Sequence, residues 1–163
     1  MTSGRVQVAF NDGIHVIRLS GDVRLNLCSA LATYLDDILG QQDFKHVLVD
    51  LTQAEGVDST TLGQIAKISI LCRERHAITP TIASPHASIT RVLLSMGFDS
   101  VFNIINEPFT DEVSFREWAA EAVSEDEVRE QVISAHRVLM DLNDNNKDAF
   151  RELVNSLESS RHC

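Results

Sequence analysis

The chain has 163 residues, 44% of them hydrophobic and 23% charged, with a formal net charge of −10. That is the composition of a soluble globular protein with one core and an appendage, not of a disordered chain. Nucleic-acid binding is disfavoured by the balance of 24 acids against 14 bases, because phosphate backbones are held by clustered Lys and Arg. The N-terminus is followed by no apolar signal-like run, and no stretch approaches the ~18 consecutive apolar residues of a membrane span, so a cytoplasmic location is expected. Cys28, Cys72 and Cys163 are scattered and suggest neither a disulfide framework nor a zinc site; Cys28 and Cys72 read as core fillers.

The chain opens with alternating apolar residues, Val6, Val8 and Phe10, then Ile14 and Val16. Asn11-Asp12-Gly13 lies between the two runs and predicts a hairpin over residues 5–20, since these residues tolerate the positive φ of a tight turn. Gly21-Asp22 is expected to break the second strand. Leu27, Leu31, Tyr34, Leu35 and Ile38 then recur at helical spacing up to Gly40.

The β-branched run Val47-Leu48-Val49-Asp50-Leu51 reads as a buried strand, followed by a turn marked by Gly56. Leu62, Ile65, Ala66 and Ser69 begin a helix over about 60–75. Asp58, Ser59 and Thr60 stand at its start, where side-chain oxygens accept unpaired first-turn N–H groups. Capping alone explains such residues; the same free donors also suit a phosphate carried by one of the hydroxyls, which are expected to be accessible.

Thr81-Ile82-Ala83 reads as a short strand. Ile89, Val92, Leu93 and Met96 form a third helix closed by Gly97, and residues 101–105 a last strand before Pro108. The expected core is an α/β fold, a mixed sheet with helices on one face, over residues 1–108.

Residues 109–163 change character. Residues 111–163 hold 13 of the acids and 6 of the bases. Val113, Trp118 and Ala122 suggest a helix over 111–123, and Ser124-Glu125-Asp126-Glu127 is a capping box opening a second. Asn143-Asp144-Asn145-Asn146 is expected to end it, and Phe150, Leu153, Val154 and Leu157 mark a third. Two apolar stripes joined by a short turn make a hairpin that must pack on the sheet domain, a partner or a second copy, so a homodimer through these helices stays open.

The element order over 5–108, the strand with its acidic turn, and Asp58-Ser59-Thr60-Thr61-Leu62-Gly63 together resemble the STAS domains, the anti-sigma-factor antagonists of bacterial partner switching. Ser84-Pro85 and Ser95-Met96-Gly97-Phe98 match the family's later stretch. The resemblance implies that Ser59 is phosphorylated by a partner serine kinase and restored by a phosphatase, with Thr60 as a reserve hydroxyl. It also implies that the unphosphorylated form binds an anti-sigma factor. Thr61 stands where the family usually has Gly. Gly21, Asp22 and Val23 fit the family's turn after the second strand, but Arg24 occupies the place of an acid that faces the partner, which implies different partners. Asp22, Arg24, Asp58, Ser59, Thr60, Thr61, Leu62 and Gly63 are therefore the expected partner-binding residues.

With its acidic extension the chain resembles members of Gammaproteobacteria that switch between motility and biofilm programmes. There the resemblance implies a flagellar anti-sigma factor as partner of the unphosphorylated form. Other readings of the residues remain: a structural subunit of a signalling assembly, a small-ligand sensor at the sheet's carboxyl edge, or a receiver using Asp50. The receiver lacks the acidic pair expected at its first strand. His136 reads as a helix-surface residue, and His15, His46, His76, His86 and His162 share no metal-ligand spacing. No catalytic set is visible, so no enzymatic activity, metal or cofactor is expected.

Overall fold

The computed structural model describes residues 3–41, 43–119 and 123–162. β1 (Arg5–Asn11) and β2 (Ile14–Val23) form the expected hairpin. Asp12 and Gly13 both take positive φ, 53° and 86°, the two-residue turn whose twist matches the flanking strands. β2 is longer than expected. Gly21, at φ 72°, carries the chain through a register shift instead of ending the strand. The shift hands β2 from one parallel neighbour to another: residues Ile14 to Arg18 pair β3 (His46–Asp50), and Gly21 to Val23 pair β4 (Ala54–Val57). β4 falls where a turn at Gly56 was expected. Its four residues show no alternation, and only pairing with the tail of β2 makes them a strand.

β5 (Thr81–Ala83) and β6 (Asn103–Ile105) extend the parallel part, giving the order β6-β5-β3-β2-β1-β7, with β4 beside β2. The helices α1 (Cys28–Leu39), α2 (Ser59–His76) and α3 (Ala87–Ser95) alternate with the strands. Val47, Val49 and Leu51 of the central strand segment meet Leu31, Leu35, Ile65 and Ile68 in one buried cluster. α2 ends at Ala77 in the left-handed region, with Arg73, Arg75 and His76 in its last turn, where the helix dipole favours cations.

The expected helix over 111–123 is absent among the described residues of that stretch; residues 120–122 lie outside them. The chain instead runs extended from β6 at one edge of the sheet to β7 (Arg116–Glu117) at the other, where β7 pairs antiparallel with β1. Aromatic anchors set this path. The Phe109 amide donates to Thr52 Oγ1 at 3.0 Å, Phe115 lies 3.7 Å from the Arg18 guanidinium, and Trp118 meets Tyr34 edge-on at 4.8 Å. Pairing with β1 fixes Arg116 and Glu117 as strand, and β7 covers the otherwise open edge of β1.

α4 (Glu125–Met140) and α5 (Asp144–Ser159) form the expected helical hairpin. Ser124 caps α4 by accepting from the Glu127 amide. Asn143 begins α5, accepting from the Asn146 amide at 2.8 Å, so the Asn-rich run starts a helix where it was expected to be a turn. The hairpin packs on its own sheet domain: Leu139 belongs to the main core, with Val138, Leu142 and Phe150 against it. Among the described residues no helix is long and apolar enough to cross a membrane.

Candidate functional site

The site forms at the carboxyl ends of the parallel strands, where β4 turns into α2. Asp58 holds the turn with both carboxylate oxygens: Oδ1 accepts from the Thr61 amide and Oδ2 from the Leu25 amide, each at 2.8 Å. The first bond caps α2, and the second stitches that cap to the loop after β2. The Asp58 amide in turn donates to Val23 O at 3.1 Å. Asp22 and Arg24 are thus brought beside Ser59, and Arg24 Nε pairs with Asp22 Oδ2 at 2.5 Å while its side chain stays largely exposed.

Ser59 is the first residue of α2 and is partly buried. Its hydroxyl was expected to be open; instead Oγ lies 2.8 Å from Nε2 of His136 on α4. The bond's direction follows from the other ring nitrogen. His136 Nδ1 lies 2.7 Å from Val132 O, a carbonyl that can only accept, so Nδ1 carries the hydrogen. In the neutral ring Nε2 then accepts, and the Ser59 hydroxyl donates. His136 is 1% exposed, with Phe150 edge-on to its ring at 4.9 Å. The helix-surface reading of His136 is corrected: α4 turns this residue inward because its neighbour Ala135 lies against α2.

The approach of those two helices is set at Gly63. A Cβ there would stand 2.3 Å from Ala135 O and 2.5 Å from Ala135 Cβ, so only glycine lets the backbones come this close. Gly63, Leu62, Thr61 and Thr60 are all buried, Thr61 fully and Thr60 to 6% exposure. Thr60 therefore offers no open reserve hydroxyl. Thr61 points into the core, its Oγ1 3.7 Å from Cys28 Sγ, so the residue that replaces the family's Gly does not crowd the surface. Burial pushes the Cys28 thiol up to about 11, with the Thr61 contact opposing weakly; this cysteine is an inert neighbour.

On the α3 side of the turn a cleft of about 260 Å³ stays open, lined by Gly56, Val57, Leu62, Ile89 and Val92. Asp50, the receiver alternative, is fully buried; Oδ2 accepts from Arg18 Nε at 3.0 Å and Oδ1 from the Thr52 amide at 2.9 Å, which makes it a structural anion. Among the described residues no group of three or more His, Cys, Asp and Glu is gathered as for a metal ion.

Asp22, Arg24, Asp58 and Ser59 thus converge as the sequence suggests. His136, Ala135 and Val132 do not announce themselves in sequence; a small residue next to a histidine on an apolar helix stripe is the one faint signal.

The STAS domain model matches residues 5–110. Among solved structures, that of the Bacillus cell fate determinant SpoIIAA in its phosphorylated form is similar, with a TM-score of 0.47 and 16% identity over 61% of this chain and 90% of that one. No curated protein matches the chain. Since the family model spans well over half of the sequence, ending where the extension begins, the chain belongs to the STAS domain family.

Proposed function

We propose that this protein is an anti-sigma-factor antagonist of a bacterial partner-switching pathway, whose binding is switched by phosphorylation of Ser59. The observation that supports this most is a serine hydroxyl at the Asp58-capped start of α2, on the carboxyl edge of the sheet, in a chain of this family. In the proposed step Ser59 Oγ attacks the γ-phosphorus of ATP held by a partner kinase. The new O–P bond forms as the bond to the β-phosphate oxygen breaks, ADP leaves, and the hydroxyl proton goes to a base of the kinase. The chain acts as substrate and binding partner and needs no catalytic base of its own; a phosphatase resets it.

Phosphate adds roughly −1.5 to −2 charge beside Asp58, with the first-turn amides of α2 to stabilise it locally. The sheet domain keeps its fold with the group in place, while a partner docked closely against that surface is repelled. A penalty of ~3 kcal/mol weakens binding more than a hundredfold at ~1.4 kcal/mol per tenfold. Arg24 at the rim, where related proteins carry an acid, sets partner choice through charge and on-rate. The narrower reading, a flagellar anti-sigma factor and control of motility and biofilm in the cytoplasm, rests on the resemblance of the acidic extension. A ligand-sensing role is the second reading: besides the cleft of about 260 Å³, cavities of about 390 Å³ at Thr52, Gln53 and His86 and about 880 Å³ beside Arg24 and Leu25 reach the ~300–1,000 Å³ of usual small-molecule sites.

The test is intact mass after incubation with the pathway's kinase and ATP, alongside co-purification of partners. Wild type should gain one phosphate and lose the anti-sigma factor, and Ser59→Ala should gain none and keep it. Full phosphorylation of Ser59→Ala would sink the assignment.

A further inference from the structure

The hairpin α4–α5 lies over the hydroxyl that the proposed function requires a kinase to reach. His136 Nε2 holds Ser59 Oγ at 2.8 Å, leaving no room for a phosphoryl group in that gap. One turn further along α2, Ala135 rests on Gly63 in a contact too close for any side chain at position 63. The two contacts put α4 along the face of α2 that carries Ser59 and Gly63. We propose that this face is a helix-docking surface held in the isolated chain by its own α4. A partner then reaches Ser59 by displacing α4 with a helix of the same kind, amphipathic and carrying a small residue over Gly63.

The hairpin is built to leave as a unit. Its ion pairs Arg137–Glu158 and Arg161–Glu130 tie α4 to the end of α5 and the turn after it, within the hairpin itself. Asn146 Nδ2 donates to Leu139 O at 2.8 Å inside the hairpin. Its polar grips on the sheet domain include the Ser59–His136 bond, Asn146 Nδ2 to Met96 O at 2.9 Å and Asn143 Nδ2 to Ser95 O at 3.2 Å. These sit in the half of the hairpin nearest its turn, with the apolar contacts of Val138, Leu139 and Leu142 between them, so the open end carries none of the three. The extended segment through β7 provides the tether. Phosphorylation then has a second consequence: a modified Ser59 cannot return beneath His136, so the phosphorylated chain keeps α4 released.

This rests on the proposed role of Ser59, but its test uses no kinase, so the two fail separately. In full-length Ser59→Cys, alkylation of the position-59 thiol by iodoacetamide, followed by peptide mass, should be about a hundredfold slower in the native chain than in urea. Ala135→Trp added to it should raise the native rate at least about tenfold by lifting α4 off Gly63. Hydrogen exchange of the unaltered chain provides a measurement independent of either variant. Amides of α4 and the first turn of α2 should exchange together and ahead of β2 and β3, as a separate opening unit. A native alkylation rate within about threefold of the urea rate, or α4 amides exchanging only in step with β3, would overturn the proposal.

Discussion

α2 and α3 are built alike and end up in opposite circumstances. Each follows a parallel strand and leaves the same edge of the sheet, yet α2 has ten buried residues between Thr60 and Cys72, whereas α3 buries Ile89 and Leu93 and leaves Val92 and Leu94 at 40% and 50% exposure. α1 packs on one flank of α2 and α4 on the other, while the end of α3 meets the hairpin at its turn, where Asn143 and Asn146 donate to Ser95 O and Met96 O. The difference explains why α2 can carry Thr60, Thr61, Gln64 and Ser69 inward. They are buried by a second helical layer, and Ser69 answers its own need by donating to Ala66 O at 2.6 Å. The helix whose start bears the candidate hydroxyl is therefore the covered one, and the exposed apolar surface lies next to it on α3.

The strongest way to break this contrast is Gly63→Leu. Its Cβ would collide with Ala135, so the hairpin should separate and stability fall by roughly 3 kcal/mol, read from urea midpoints, while Leu94→Ala on α3 should shift them by less than about 0.5 kcal/mol. Equal effects at the two sites would mean that α4 does not cover α2 in solution. The caps give a smaller test. Asp58 makes two amide bonds at the start of α2, whereas His86 at the start of α3 makes no side-chain cap bond. Asp58→Ala should cost about 1–2 kcal/mol and His86→Ala less than about 1 kcal/mol by thermal unfolding. An Asp58→Ala loss no larger than that of His86→Ala would show that the cap is not what holds the turn.

The smallest effect sharpens the contrast from outside both helices. His15, stacked among Phe10 and Phe44 with Nδ1 3.2 Å from Tyr34 Oη, has its pKa lowered by burial, against weaker raising by Asp43 and Asp37. The unfolded chain then binds a proton near pH 6.5 that the folded chain refuses. This contribution to stability is complete above about pH 6.5 and is lost as pH falls from there toward the depressed folded value. His15→Phe should flatten that slope in urea titrations at a series of pH values, and Gly63→Leu should leave it intact. A slope that survived His15→Phe would move its origin away from His15.

Much of the architecture was readable because local signals and global pattern agreed: Asp12-Gly13 fixed a turn, the β-branched run from Val47 fixed a buried strand, and Ser124 with Glu127 fixed a helix start. The failures share a cause. β4 exists through pairing with β2, β7 exists through pairing with β1, with Phe115 on Arg18 and Trp118 on Tyr34 beside it, and His136 is buried by a helix crossing distant in sequence. None of these is encoded by a period of two or 3.6 residues.

The sequence by itself determined the first hairpin, the alternation of α1, α2 and α3 with β3, β5 and β6, and the Asp58-Ser59 turn at the mouth of α2, since caps, turns and apolar periodicity act over a few neighbouring residues. Only the tertiary structure decided that the hydroxyl of Ser59 is held by His136, 77 positions further along the chain, and that Gly63 exists for Ala135. Those contacts arise when two finished helices close on each other, and their cost and gain appear only after both faces have formed.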